Sequence, residues 1–132
     1  LVGSEMCIRD RGGDAAFSTD DAAFFDVLLL GMGLDGHVAS LFPHHEDATD
    51  TASYAVAVQN SPKPPSERIS LSWSALNSAR HVSFIVTGED KATAVTRAHG
   101  AIDATECPAS AVRGIDSTTW FLDAAAATGL EA

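Results

Sequence analysis

The segment Gly31-Met32-Gly33-Leu34-Asp35-Gly36-His37-Val38-Ala39-Ser40-Leu41-Phe42-Pro43 concentrates the residue types that do chemistry. Its glycines let backbone N–H groups face a ligand without side-chain obstruction. His37 follows the third glycine, and imidazole is the side chain whose charge changes near neutral pH. A neutral imidazole takes a proton from water, so His37 is a candidate general base. Asp35, two residues earlier, is placed to orient that ring or to contact a substrate. On spacing alone a second role, His37 as a mere cap of the turn, is equally open.

Two better-known glycine motifs are disfavoured. The letters G-x-G-x-x-G are present, as in dinucleotide-binding turns. Pro43, however, stops the following segment too early for the helix such sites need. Gln59 and Asn60 follow Val58, so no carboxylate closes the next strand to hold a ribose hydroxyl. Gly31 and Gly36 also have phosphate-loop spacing, but His37 stands where that loop requires Lys. His44, His45, Glu46 and Asp47 look superficially like metal ligands. Four adjacent residues on one loop rarely converge on an ion, and the expectation is a solvated loop with no metal.

The elements around this turn follow from pattern. Phe25 to Leu30 is a short apolar run closed by Gly31, as a strand buried on both faces of a parallel sheet reads. The segment His37 to Phe42 is expected to begin a helix, whose positive end disfavours imidazolium. Tyr54 to Val58 alternates as a strand does, and the prolines of Ser61 to Ser66 predict an extended connection. Arg68 to Ser72 reads as a strand, Ser74 to Arg80 as a helix, and His81 to Thr87 as a strand closed by Gly88. Asp90 to His99 is helical in composition. Pro108 to Val112 predicts a helical turn, Thr118 to Leu122 a last strand, and Asp123 a cap for the alanines after it. Near the start, Ser18 to Ala23 predicts one helical turn. Alternating strands and helices define an α/β sheet.

Composition bounds the partners. The chain of 132 residues carries 8 Lys and Arg against 18 Asp and Glu, a formal charge of −10. So acidic a chain is not expected to bind nucleic acid, which selects clustered Lys and Arg. The apolar run from Phe24 to Met32 is far shorter than the roughly 20 residues of a membrane span. Cys7 and Cys107 make no CxxC or zinc spacing, so free thiols and a cytoplasmic location are expected. Residues 1–14 lack periodicity and read as a foreign or artefactual leader.

The string LLGMGLDGHVASLFP resembles the signature of the glucosamine-6-phosphate isomerase/6-phosphogluconolactonase family, lactonase branch, with Leu34 where that branch usually has proline. Three further stretches are similar to the family in the right order: Pro62 to Leu71, Val86 to Ala92, and Pro108 to Ser110 followed by Trp120 to Asp123. The resemblance covers Phe24 to Ala127. It implies that residues 15–132 are the C-terminal part of a single lactonase-type α/β domain. The expected fold is a partial, Rossmann-like open sheet of mostly parallel strands with flanking helices, truncated on its N-terminal side.

The implied activity is hydrolysis of 6-phospho-D-glucono-1,5-lactone to 6-phosphogluconate in the oxidative pentose phosphate pathway, without metal or cofactor. Its implied residues are His37 as base and Asp35 beside it, with Gly31, Gly33, Gly36, Lys63 and Arg68 holding the substrate. Lys91 is expected to be a helix-surface residue. The family's N-terminal half carries a Ser-Gly-Gly phosphate-binding turn and an Asp-Glu-Arg motif, neither of which precedes Phe24. The chain alone is therefore expected to be weakly active or inactive, and to self-associate through an exposed sheet edge. The alternatives are a glucosamine-6-phosphate deaminase or isomerase, whose turn typically carries an acidic residue where Phe42 stands, and a non-catalytic remnant.

Overall fold

The structure, a computed structural model, describes residues 23–45 and 53–130. The expected leader, residues 18–22 of the helical turn expected over Ser18 to Ala23, and Glu46 and Asp47 lie outside the described residues.

β1 (Phe25–Leu30), β4 (Ala79–Val86) and β5 (Ser117–Leu122) form a three-stranded sheet in the order β1-β4-β5. Both pairings are parallel, with Leu30 opposite Phe84 and Phe84 opposite Trp120. Parallel neighbours need crossover connections, and the segments between these strands supply them. β2 (Ala55–Val58) and β3 (Arg68–Leu71) instead pair with each other, antiparallel, as a separate two-stranded ribbon. The fold is therefore the expected α/β class, with one mostly parallel sheet and its flanking helices.

The core fills one side of that sheet. Leu28, Leu30, Val82, Phe84 and Val86 point inward at the strand period of two and meet Val95, Ala98 and Val112. The rings of Phe84 and Trp120 stack at 3.9 Å. The other side differs from expectation: Val27 and Leu29 are 56% and 65% exposed. An apolar run states only that both faces favour burial; it does not supply what covers them.

Two helices also differ from their sequence-based bounds. α1 (Trp73–Leu76) has one turn, capped by Ser72 Oγ accepting from Ala75 N, and stops well before Arg80. Ala79 and Arg80 belong to β4: Ala79 pairs with Phe25 of β1, and the carbonyls of Ala79 and Arg80 accept from Ile115 N and Asp116 N, so tertiary bonds satisfy these backbone groups. α2 (Ala92–His99) follows a short 3-10 turn at Glu89–Lys91 and lies where expected. Asp123 does cap the alanine turn: its Oδ1 accepts from Ala126 N at 2.8 Å, and its carboxylate also accepts from Gly88 N. That double role ties the entry of α2 to the end of β5.

Candidate active site

The glycine turn leaves the carboxyl end of β1, where open parallel sheets bind ligands. No helix starts at His37, contrary to expectation. Instead the chain makes a tight reversal, with Gly36 at φ 88°, Ala39 at φ 52° and an isolated bridge between Val38 and Leu41. Gly33 N donates to His37 O at 2.9 Å and Gly36 N donates to Gly33 O at 3.1 Å, so the turn closes on itself. The helix expected to disfavour the imidazolium from His37 onward is not formed, and another cause sets its protonation.

Within this turn Asp35 Oδ1 accepts twice from His37. The ring Nδ1 lies 2.6 Å away and the backbone N 3.1 Å away. The bond at Nδ1 fixes the tautomer that leaves Nε2 as the acceptor, the arrangement a base requires. The His37 side chain is 16% exposed, so the ring is seated in protein and still reachable. Burial lowers the His37 pKa below the ordinary histidine value; the Asp35 bond and charge oppose this, while Lys63 and Lys91 add to the lowering. For Asp35, burial alone would raise the carboxyl, but the His37 backbone N–H, ring and charge outweigh it and hold it below its ordinary value. At neutral pH the pair is a carboxylate beside a neutral imidazole.

Two glycines are required by space. A Cβ at Gly33 would fall on the His37 ring and lie 2.6 Å from Asp35 Oδ1, so the dyad occupies the room that a side chain would need. At Gly36 the positive φ excludes ordinary residues, and a Cβ would sit 2.7 Å from Cys107 Sγ. The segment around Cys107 braces the turn from below, with Ala109 N donating to Gly36 O and His44 N to Thr105 O. Gly31 is the contrasting case: a Cβ there would meet nothing within 4 Å. It is the glycine open to an approaching ligand, whereas the Gly33 and Gly36 amides are engaged inside the turn.

An open cleft of about 460 Å³ is lined by Leu29, Leu30, Gly31, Met32, Gly33, His37, Ala39 and Lys91. Lys91 was expected on a helix surface and is instead a wall of this cleft. Its Nζ donates to Met32 O at 2.9 Å across 59 residues of chain. Its position near the start of a helix after a glycine-closed strand is the sequence signal for it, since that connection also leaves the carboxyl edge of the sheet.

Arg68 is placed differently. Nε donates to Pro65 O, and Nη2 donates to Lys63 O and Pro64 O, so the guanidinium binds the proline loop's own carbonyls. Ser61 N donates to Ser66 O, and the loop is folded back rather than extended as the prolines suggested. Arg68 lines a second hollow of about 390 Å³ with Val58, Gln59 and Ile69. Lys63 is exposed at this loop, close enough for its charge to act on His37. Phe42 links the two hollows: its ring centroid is 4.6 Å from that of His37, and the Arg68 Cζ lies 5.5 Å from the same centroid. Among the described residues no three or more His, Cys, Asp or Glu side chains gather as a metal-binding group.

The site is an acid-paired histidine on a glycine turn at the carboxyl edge of a parallel α/β sheet, and comparison with known proteins gives the family. The sequence profile described as Glucosamine-6-phosphate isomerases/6-phosphogluconolactonase matches residues 8–120, and the chain belongs to that family. It is 49% identical over 106 residues to a 6-phosphogluconolactonase of Streptomyces coelicolor, covering 80% of this chain and 41% of that one. It is 41% identical over 113 residues to the human 6-phosphogluconolactonase, covering 85% of this chain and 44% of the relative. A solved structure of 6-phosphogluconolactonase from Trypanosoma brucei superposes with a TM-score of 0.70 at 31% identity, over 81% of this chain and 43% of that one. The chain thus spans less than half the length of each of these relatives.

Proposed function

We propose that this chain carries the proton-transfer half of a 6-phosphogluconolactonase site, hydrolysing 6-phospho-D-glucono-1,5-lactone to 6-phosphogluconate. The observation that carries the proposal is the Asp35–His37 bond of 2.6 Å at the edge of an open cleft. A lactone carbonyl is already electrophilic, so the reaction needs an activated water and a proton donor for the leaving ring oxygen. Nε2 of His37 takes a proton from water as the oxygen attacks C1. The resulting imidazolium is stabilised by Asp35 and returns the proton to the ring oxygen as the C1–O bond breaks. One water is consumed, His37 ends neutral, and the carboxylic acid formed releases its proton to solvent to give 6-phosphogluconate.

The substrate's phosphate is dianionic near neutral pH, and cations around the cleft favour it. Lys91 in the cleft wall and Lys63 at its margin are the nearest candidates. Arg68 joins them by exchanging loop carbonyls for phosphate oxygens. Gly31 gives the ligand its approach to the backbone. The phenyl ring of Phe42 occupies the place where the isomerase branch typically carries an acidic residue, which favours the lactonase reading. The implied partner is a small sugar-phosphate lactone and the implied location cytoplasmic; no helix among the described residues is long and apolar enough to cross a membrane.

The test uses a polypeptide completed to family length with the N-terminal part of the Streptomyces coelicolor relative. The lactone hydrolyses spontaneously, so 6-phosphogluconate formation is compared with that of His37→Ala at equal concentration. A rate well above background that collapses in His37→Ala is expected. Equal rates in both would overturn the assignment of His37 as base.

A further inference from the structure

We propose that Phe42 is a positioning residue that couples the base to the anion-binding cation, because one aromatic ring is the shared support of the His37 imidazole and the Arg68 guanidinium. The proposal rests on the lactonase reading for its kinetic consequence, but not for its structural one.

Phe42 is 4% exposed, held between the turn's Val38–Leu41 bridge and Pro43. Three groups pack on its ring. His37 lies at 4.6 Å with the planes tilted by 45°. His45 lies at 6.3 Å, and its Nε2 pairs with Asn60 O at 3.3 Å, so that imidazole is tied to the strand end that borders the second hollow. The Arg68 guanidinium stands over the ring at 5.5 Å, within the range of a cation–π contact. Asp35 fixes the imidazole only along its Nδ1 bond, which leaves rotation about that bond to be limited by contact. The phenyl ring supplies such a contact. It also excludes water from one face of the imidazole.

An aliphatic side chain of equal volume would fill the core equally well but would offer neither a flat wall to His37 nor a π-face to Arg68. The charged groups acting on His37 are Asp35, Lys63 and Lys91, while the Arg68 guanidinium rests on the same phenyl ring. Removing the ring admits water to the imidazole, so its titration moves up toward the ordinary histidine value. It also loosens the guanidinium seat, so an anionic substrate binds less well.

The experiment compares Phe42→Met, close in volume, with Phe42→Tyr, which keeps the ring. Titration of His37 is read by NMR on the chain without substrate, its resonance identified by its loss in His37→Ala. KM and kcat for the lactone are then measured on the family-length polypeptide. In Phe42→Met the His37 titration is expected to shift upward and KM to rise about threefold, the size of one partly exposed cation–π contact. Phe42→Tyr is expected to restore both. An unchanged titration and an unchanged KM in Phe42→Met overturn the proposal even if its melting temperature falls, since lost packing alone lowers stability without moving either. If the polypeptide proves not to hydrolyse the lactone, the functional reading fails, and the substrate-free titration decides the role of Phe42.

Discussion

Replacing Asp35 by Asn removes a charge and leaves the shape of the dyad nearly unaltered. In the native turn the carboxylate accepts from Nδ1 at 2.6 Å and from the His37 backbone N at 3.1 Å. Asn retains one acceptor oxygen, so the backbone bond survives, but the charge-assisted part of the ring bond does not. A hydrogen bond to a charged partner contributes about 1.5–3 kcal/mol. Asp35 is 37% exposed, which places it at the lower end, about 1.5–2 kcal/mol. That stabilisation belongs mainly to the imidazolium formed during attack, so it falls on kcat. Each 1.36 kcal/mol is a factor of ten in rate, and the loss is about 10- to 30-fold. The Asp35 charge also raises the His37 pKa against burial, so in Asp35→Asn the acid limb of kcat/KM moves to lower pH. The assay is initial-rate 6-phosphogluconate formation by the family-length polypeptide across pH, corrected with His37→Ala. A kcat within twofold of the parent, a loss carried wholly by KM, or an acid limb moving upward would each refute the reasoning.

Other consequences are more local. Gly36→Ala is expected to cost about 1–3 kcal/mol from the positive φ, seen as a lowered melting temperature, and Cys107→Ala in the same chain should recover only the part due to contact with the thiol. Lys91→Met should raise KM for the phosphorylated lactone about tenfold and move the acid limb of kcat/KM upward, because a charge that lowers His37 is lost. For stability, the folded chain holds His37 with a lowered pKa, so the unfolded chain binds that proton more readily. Stability therefore falls as pH drops below the ordinary value of 6.5, and chemical denaturation of His37→Ala should show a flatter profile between about pH 7 and 5. Asp35 acts in a separate window: its lowered pKa contributes stability above the ordinary 3.8 that is lost as pH falls through the folded value.

Much of the fold was legible because the strands obey simple patterns. Phe25 to Leu30 and His81 to Thr87 are apolar runs closed by glycine, and both became neighbouring parallel strands. The dyad was legible for a different reason: Asp35 and His37 are two residues apart on a turn whose glycines announce it. The helix expected from His37 was not formed, because Gly36 and Ala39 both take positive φ and the turn satisfies its own amides. The helix from Ser74 to Arg80 lost its last turn to pairing between β4 and β1, a tertiary contact that local composition does not encode. Lys91 lies 54 residues beyond His37, and only the sheet's topology brings it to the cleft. Arg68 and Lys63 were identified as cations, but the fold of the proline loop, with Arg68 bonded to three of its carbonyls, could not be read from residue spacing.

The dyad's closeness in sequence has a consequence for how this site changes over time. Proton transfer is encoded in one seven-residue reversal, Gly31 to His37, that holds its shape with its own hydrogen bonds. The proposed anion capture instead draws on residues gathered from separate connections, Lys63, Arg68 and Lys91. Sequence change in distant parts of the chain therefore bears on the proposed anion grip more directly than on the turn that holds His37.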